Sequence, residues 1–136
     1  MGCHGAFNAL RVADAFATAD PAAAVLVVCV ELCSLHFQYG SRSDHVVANS
    51  IFADGAGAVV GVGAGHRRGR DQSAWRLVKQ SSRVLPSSGD QMGWVIGDNG
   101  FEMSLSAQVP GTIARDIGSL VGESLAAQRQ IGRAHV

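Results

Sequence analysis

Ala24-Val25-Leu26-Val27-Val28-Cys29-Val30-Glu31-Leu32-Cys33-Ser34 is the stretch that decides the fold. Its first seven residues are an unbroken apolar, largely β-branched run. Such a run reads as a strand buried on both faces, as in a parallel sheet covered by helices. Asp20-Pro21 marks a turn just ahead of it, and Glu31 ends it by leading into a loop around Tyr39-Gly40-Ser41. The apolar segment from Ala22 to Leu32 is too short to span a bilayer and is broken by Glu31.

Before that strand, Ala6, Leu10, Ala13 and Ala17 recur at i, i+4, i+7 and i+11 with Phe16 beside them, the pattern of an amphipathic helix. Cys3 stands just ahead of this helix in Met1-Gly2-Cys3-His4-Gly5. A thiol placed there faces unpaired backbone N–H groups and the positive end of the helix dipole, and both favour thiolate. The flanking glycines suit a sharp turn and close approach of a substrate to the backbone. A small-residue turn that presents one nucleophile suits covalent catalysis, although a buried, inert thiol fits the same residues equally well.

After the strand, Val46 to Phe52 reads as a short helix, and Asp54-Gly55-Ala56-Gly57-Ala58-Val59-Val60-Gly61-Val62 as a second buried strand. The polar, arginine-rich residues 65–73 read as a linker, and Trp75 to Gln80 as another strand. Met92, Trp94 and Ile96 alternate before Asp98-Asn99-Gly100, and Phe101, Met103 and Leu105 alternate after it, which predicts a hairpin. Pro110 then opens a helix with Ile113, Ile117, Leu120, Val121 and Leu125 on one face. The succession predicts an α/β chain of layered elements. Residues 1–64 form one half, 65–73 the linker and 74–130 the start of a second half.

Composition narrows the classes. Of 136 residues, 47% are hydrophobic and 16% charged, which indicates a globular protein with a large core. Eleven basic residues balance eleven acidic ones, so no net field favours nucleic acid or an acidic membrane. Three cysteines without regular spacing argue against a disulfide framework and for a reducing, cytoplasmic setting. No Cys or His pair has the spacing of a metal site. Residues 131–136, Ile-Gly-Arg-Ala-His-Val, lack periodicity and a cap. They back-translate as ATC-GGA-AGA-GCA-CAC-GTC, which matches a common short-read sequencing adapter, so this tail is expected to be non-native. Met1 is expected to be an internal methionine, because a nucleophile turn needs a strand ahead of it.

Taken in order, these pieces resemble the thiolase superfamily. Gly2-Cys3 and the Leu10-Arg11 helix are followed by Val25-Leu26-Val27-Val28-Cys29 with Glu31, then by Phe52-Ala53-Asp54-Gly55. Leu85-Pro86-Ser87-Ser88, Trp94-Val95-Ile96-Gly97-Asp98 and Val109-Pro110 complete the order. Within the superfamily the chain is most similar to type III polyketide synthases of the chalcone/stilbene synthase family. Phe-x-Asp-Gly-Ala alone is shared with ketoacyl synthases. The Glu31-Leu32-Cys33-Ser34 segment and the Gly97 to Phe101 hairpin make the likeness specific. The implied fold is a partial thiolase-like αβαβα sandwich of mixed sheets with buried strands, truncated at both ends.

The resemblance implies an acyltransferase that takes an acyl group from coenzyme A onto Cys3 and extends it with malonyl-CoA by decarboxylative Claisen condensation. It implies that Phe52 is the gatekeeper aromatic between the coenzyme A tunnel and the reaction cavity, pressing on the malonyl carboxylate. Cys33 and His36 match cavity-lining positions that shape chain length and ring closure, and Met103 lines the same cavity. Alternation puts Phe101 on the Met103 face without deciding which of them reaches the cavity. No cofactor is implied, because the coenzyme A thioesters are substrates. A homodimer is implied, with no nucleic-acid or membrane partner.

The family's activating His and Asn lie farther toward the C-terminus than this chain extends. None of His4, His36, His45 or His66 matches that His, and His4, adjacent to Cys3, is poorly aimed at it. The chain by itself is therefore expected to be inactive. Cys29 reads as core, Asp54 as a structural residue bonded within its turn, and Glu31 as a strand-end carboxylate bonded to backbone amides. Two other readings fit the same residues. One is a ketoacyl-synthase III-like enzyme of fatty-acid synthesis, partnered by acyl carrier protein. The other is a non-catalytic thiolase-fold subunit.

Overall fold

The computed structural model describes residues 2–67, 75–98 and 100–126. Residues 68–73 of the expected linker and the suspected adapter tail lie outside them. Three α-helices and four strands are present among the described residues: α1 (Gly5–Ala19), β1 (Ala24–Glu31), α2 (Ser43–Ile51), β2 (Gly55–Val62), β3 (Met92–Gly97), β4 (Gly100–Leu105) and α3 (Val109–Ala126). The mixed α/β class follows from this order. The chain groups into two compact units, Met1–Leu35 with Ala53–Gln80, and His36–Phe52 with Ser81–Val136.

In the first unit α1 ends where the backbone N–H of Asp20 bonds the Phe16 carbonyl and Asp20 turns the chain into β1. The Asp20 carboxylate accepts from the Ala22 N–H at 2.9 Å. β1 pairs with β2 along its whole length, from Ala24↔Val62 to Glu31↔Gly55. The pairing is antiparallel, where the apolar run suggested a parallel sheet. An apolar run reports burial and carries no information on which strand pairs with it or in which direction.

Burial also differs from expectation. Val27 is buried and Val25 and Cys29 half-buried, on the face that α1 covers with its own buried Ala13. The alternate residues Leu26, Val28 and Val30 point the other way and stay 63%, 56% and 57% exposed. β1 is thus buried on one face only. Full burial of a Val or Leu is worth about 1.5–3 kcal/mol, so more than half of that gain is not realised on the open face. Among the described residues no second layer covers it.

Trp75 to Gln80, expected as a strand, forms none; Trp75 is fully exposed and no described strand lies beside it to complete a ladder.

In the second unit β3 and β4 form the expected hairpin, with Trp94 opposite Met103 and Ile96 opposite Phe101. Gly100 takes φ 114, a left-handed value that a side chain would resist. α2 begins at Ser43, three residues before the expected start at Val46, and packs on β4. α3 begins at Val109, where the Ser106 hydroxyl accepts from the Gln108 N–H at 3.1 Å. The segment before the hairpin is strapped to α3: Arg83 donates to Ser119 and to Glu123, and Ser124 bonds Ser81 at 2.9 Å.

Gly63 closes the first unit. It donates to the Ala23 carbonyl at 2.9 Å, and a Cβ there would overlap the backbone carbonyl of Pro21. Gly63→Ala is expected to destabilise the protein by about 1–3 kcal/mol, measured by thermal or denaturant unfolding. Gly57→Ala, which would meet nothing within 4 Å, should cost far less.

Candidate functional site

The first unit holds Cys3 and Cys33. Cys3 is exposed, in a single 3-10 turn, Gly2–His4, that runs directly into α1. Gly2 adopts φ 46, a left-handed conformation that sharpens this turn, as the small residues beside Cys3 suggested. His4 occupies the N-cap position of α1 but makes no side-chain cap bond, and its ring lies 5.8 Å from that of Phe7. The thiol therefore stands at the amino end of a fifteen-residue helix with solvent access, the arrangement a nucleophile requires.

Cys33 opens a second short turn, Cys33–His36, immediately after β1, and is half-buried. Burial pushes its thiol up from the ordinary value, and the nearby Glu31 and Asp54 carboxylates and Cys3 push it further. Burial and these neighbours favour the protonated form of the Cys33 thiol. Cys33 thus stands at the end of β1, in the same unit as Cys3.

Asp54 fixes that end. Its carboxylate accepts from both the N–H and the hydroxyl of Ser34, each at 2.7 Å. The expected bonds within its own turn are replaced by a bridge between the end of β1 and the start of β2. These bonds, the Ser34 hydroxyl first and the N–H second, hold the Asp54 carboxyl below its usual range. Glu31 is exposed at the end of β1, and Cys29 is half-buried within it.

The second unit holds Phe52, His36 and Met103. Phe52 is half-buried at the C-cap of α2, its N–H bonded to the Ala48 carbonyl at 3.0 Å. His36 is half-buried, with its ring 4.6 Å from Trp94 and 5.9 Å from Phe101. Its Nδ1 is buried without a hydrogen-bond partner. Met103 is half-buried on β4 directly opposite Trp94, so the two side chains leave the same face of the hairpin. His36, Trp94, Phe101 and Met103 thus form one aromatic and thioether surface.

Trp94 is the residue that sequence reasoning passed over. Its alternation with Met92 and Ile96 gave its face, but its contact with a histidine nearly sixty positions earlier left no local signal. Gln38 was also missed: its side chain donates to the Phe101 carbonyl at 3.0 Å, and its own carbonyl accepts from Asn49 at 2.8 Å. Among the described residues no cluster of three His, Cys, Asp or Glu could hold a metal, and no helix is long and apolar enough to cross a membrane.

Residues 1–77 match the family described as 3-Oxoacyl-[acyl-carrier-protein (ACP)] synthase III. A Mycobacterium tuberculosis protein named "Alpha-pyrone synthesis polyketide synthase-like Pks18" is 35% identical over 126 residues, 92% of this chain and 32% of its own length. The fold is similar to that of PKS-I from the brown alga Ectocarpus siliculosus, with a TM-score of 0.81 and 29% identity over 95% of this chain and 34% of that one. It is also similar to the C-terminal type III polyketide synthase domain of Steely1 from Dictyostelium, with a TM-score of 0.77 and 31% identity over 100% of this chain and 37% of that one. The chain spans about a third of the length of these three proteins. It spans 4% of "Probable polyketide synthase 1" of Dictyostelium discoideum, to which it is 35% identical over 121 residues.

Two predictions follow from the first unit. Limited alkylation with iodoacetamide near neutral pH, read by site-resolved mass spectrometry, should label Cys3 before Cys33; the reverse order would contradict the assignment. Ser34→Ala should lower stability above about pH 4, where an unfolded aspartate is ionised. The difference should vanish as pH falls through the depressed value of folded Asp54, as followed by unfolding midpoints across acid pH.

Proposed function

Since the chain belongs to the 3-oxoacyl-[acyl-carrier-protein (ACP)] synthase III family, on its type III polyketide synthase branch, we propose that it is the nucleophile-bearing part of a condensing acyltransferase. The observation that carries this reading is Cys3, exposed in a left-handed glycine turn at the start of α1.

In the proposed reaction the Cys3 thiolate attacks the carbonyl of a starter acyl-CoA. The carbon–sulfur bond to coenzyme A breaks, and the coenzyme leaves as a thiolate that takes up a proton. The acyl group is then held as a Cys3 thioester. A malonyl-CoA loses its carboxylate as carbon dioxide, and the electron pair of the broken bond remains on the thioester as an enolate. The enolate carbon attacks the Cys3 thioester carbonyl and expels the Cys3 thiolate. The product is a β-ketoacyl-CoA two carbons longer, and the nucleophile is free again.

Each side chain takes a part in this scheme. Phe52 is the gate that presses on the malonyl carboxylate and favours its loss by desolvating a charge about to disappear. Cys33, His36 and Met103 shape the space for the growing chain, and the contact of His36 with Trp94 adds that indole to the wall. The His and Asn that activate the thiol and hold the developing oxyanion belong to the longer protein, so the chain alone does not turn over. That protein acts on acyl-CoA and malonyl-CoA without a cofactor, in the cytoplasm, as a homodimer.

A fatty-acid condensing enzyme served by acyl carrier protein is the second reading, favoured by the description of the matched family. The names of the relatives favour the first.

The deciding experiment expresses the complete gene that contains this chain and incubates its product with malonyl-CoA and a panel of acyl-CoAs, or with their acyl-carrier-protein thioesters. Condensation from coenzyme A thioesters is expected, and use of carrier-protein thioesters alone would favour the second reading. Cys3→Ala should reduce condensation by at least about a thousandfold. Retained condensation would overturn the nucleophile assignment. Trp94→Ala should shift the products toward longer chains in mass-resolved chromatography.

A further inference from the structure

Four charged or titratable side chains of the second unit have no part in that scheme: Arg42, Asp44, His45 and Glu102. They meet where α2 packs on β4. His45 is more than nine-tenths buried, and its Nε2 has no hydrogen-bond partner. The nearest countercharge is the Glu102 Oε2 at 3.9 Å, beyond hydrogen-bond reach and within ion-pair reach. The same oxygen lies 3.8 Å from Arg42 Nη1. Arg42 is also bidentate to Asp44, through Nε at 3.2 Å and Nη2 at 2.8 Å. The Arg42 side chain and the His45 N–H hold the Asp44 carboxyl below its usual range.

This polar cluster matters because α2 has little else to hold it. Ala48 is its one buried apolar residue, while Val46, Val47 and Ile51 are all exposed. The remaining anchor is the Asn49–Gln38–Phe101 relay of hydrogen bonds. Phe52 follows α2 with no intervening residue, bonded through its N–H to Ala48. Any rotation or withdrawal of α2 from β4 therefore carries the Phe52 ring with it.

We infer that Glu102 is a positioning residue for Phe52: through His45 and Arg42 it clasps α2 to β4 and so sets the gate. The role rests on the proposed gate function of Phe52. The clasp is sensitive to charge. Of the two groups beside the Glu102 carboxylate, Arg42 is the more exposed and shares its attraction with Asp44. β4 contributes no charged residue other than Glu102, so the cluster is confined to these four groups.

The test uses the complete enzyme that contains this chain and measures kcat and KM for malonyl-CoA decarboxylation. Glu102→Gln keeps the shape of the side chain and removes its charge. It should lower the decarboxylation kcat about two- to fivefold, with the starter KM changed by under about twofold. Glu102→Asp should restore part of the loss. Glu102→Gln should have a smaller effect in a His45→Gln background, a coupling that melting temperatures report independently if a variant is poorly active.

An unchanged kcat in Glu102→Gln would overturn the inference, as would kcat and KM shifting together. Phe52→Ala separates the two levels. If that variant decarboxylates normally, the gate reading fails. If it is impaired while Glu102→Gln behaves as wild type, only the clasp fails.

Discussion

The Asp54 carboxylate, bonded twice to Ser34, is the constraint on which the first unit depends. Between Ser34 and Asp54 the chain makes a long excursion through α2, and closing such a loop costs entropy. Two charge-assisted bonds at its neck hold the end of β1 and the start of β2 in register, after which the eight-residue ladder can form without slipping. The same bridge brings a carboxylate near Cys33, which adds to the burial that pushes that thiol up.

Much of the architecture was legible in the residues, for specific reasons. α1 was visible because Ala6, Leu10, Ala13 and Ala17 repeat at helical spacing, and the hairpin because alternation on both sides meets at a glycine able to take positive φ. α3 was visible from Pro110 and the Ile113–Ile117 stripe. The sharp turn at Cys3 could be read from its small neighbours, but its exposure could not, since a buried thiol fitted the same residues. Direction of pairing could not be read, because Val25 to Val30 looks the same whichever way its partner runs. Nor could exposure of one face, since it depends on what lies above the strand and not on the strand. Trp75 to Gln80 has strand-like composition, yet composition does not supply a neighbour.

The site residues divide along the same line. Cys3 was singled out from local context, as a thiol ahead of a helix. Cys33, His36, Phe52 and Met103 came from likeness to a family. Contacts that span many positions were not found by either route: His36 with Trp94, Gln38 with Phe101, and His45 with Glu102. Such pairs leave no periodic trace. They are also the contacts that give the second unit its shape, because α2 has so little apolar burial of its own.

The bare side of β1 and β2 has a consequence outside catalysis. Leu26, Val28, Val30 and Val60 make a flat aliphatic strip on a ladder of only two strands, and both outer edges carry unpaired amide and carbonyl groups among the described residues. A surface of that kind invites strand addition from any extended polypeptide, including another copy of itself. For any shortened version of this protein, the first hurdle would be colloidal: insolubility or capture by chaperones would precede any question of turnover.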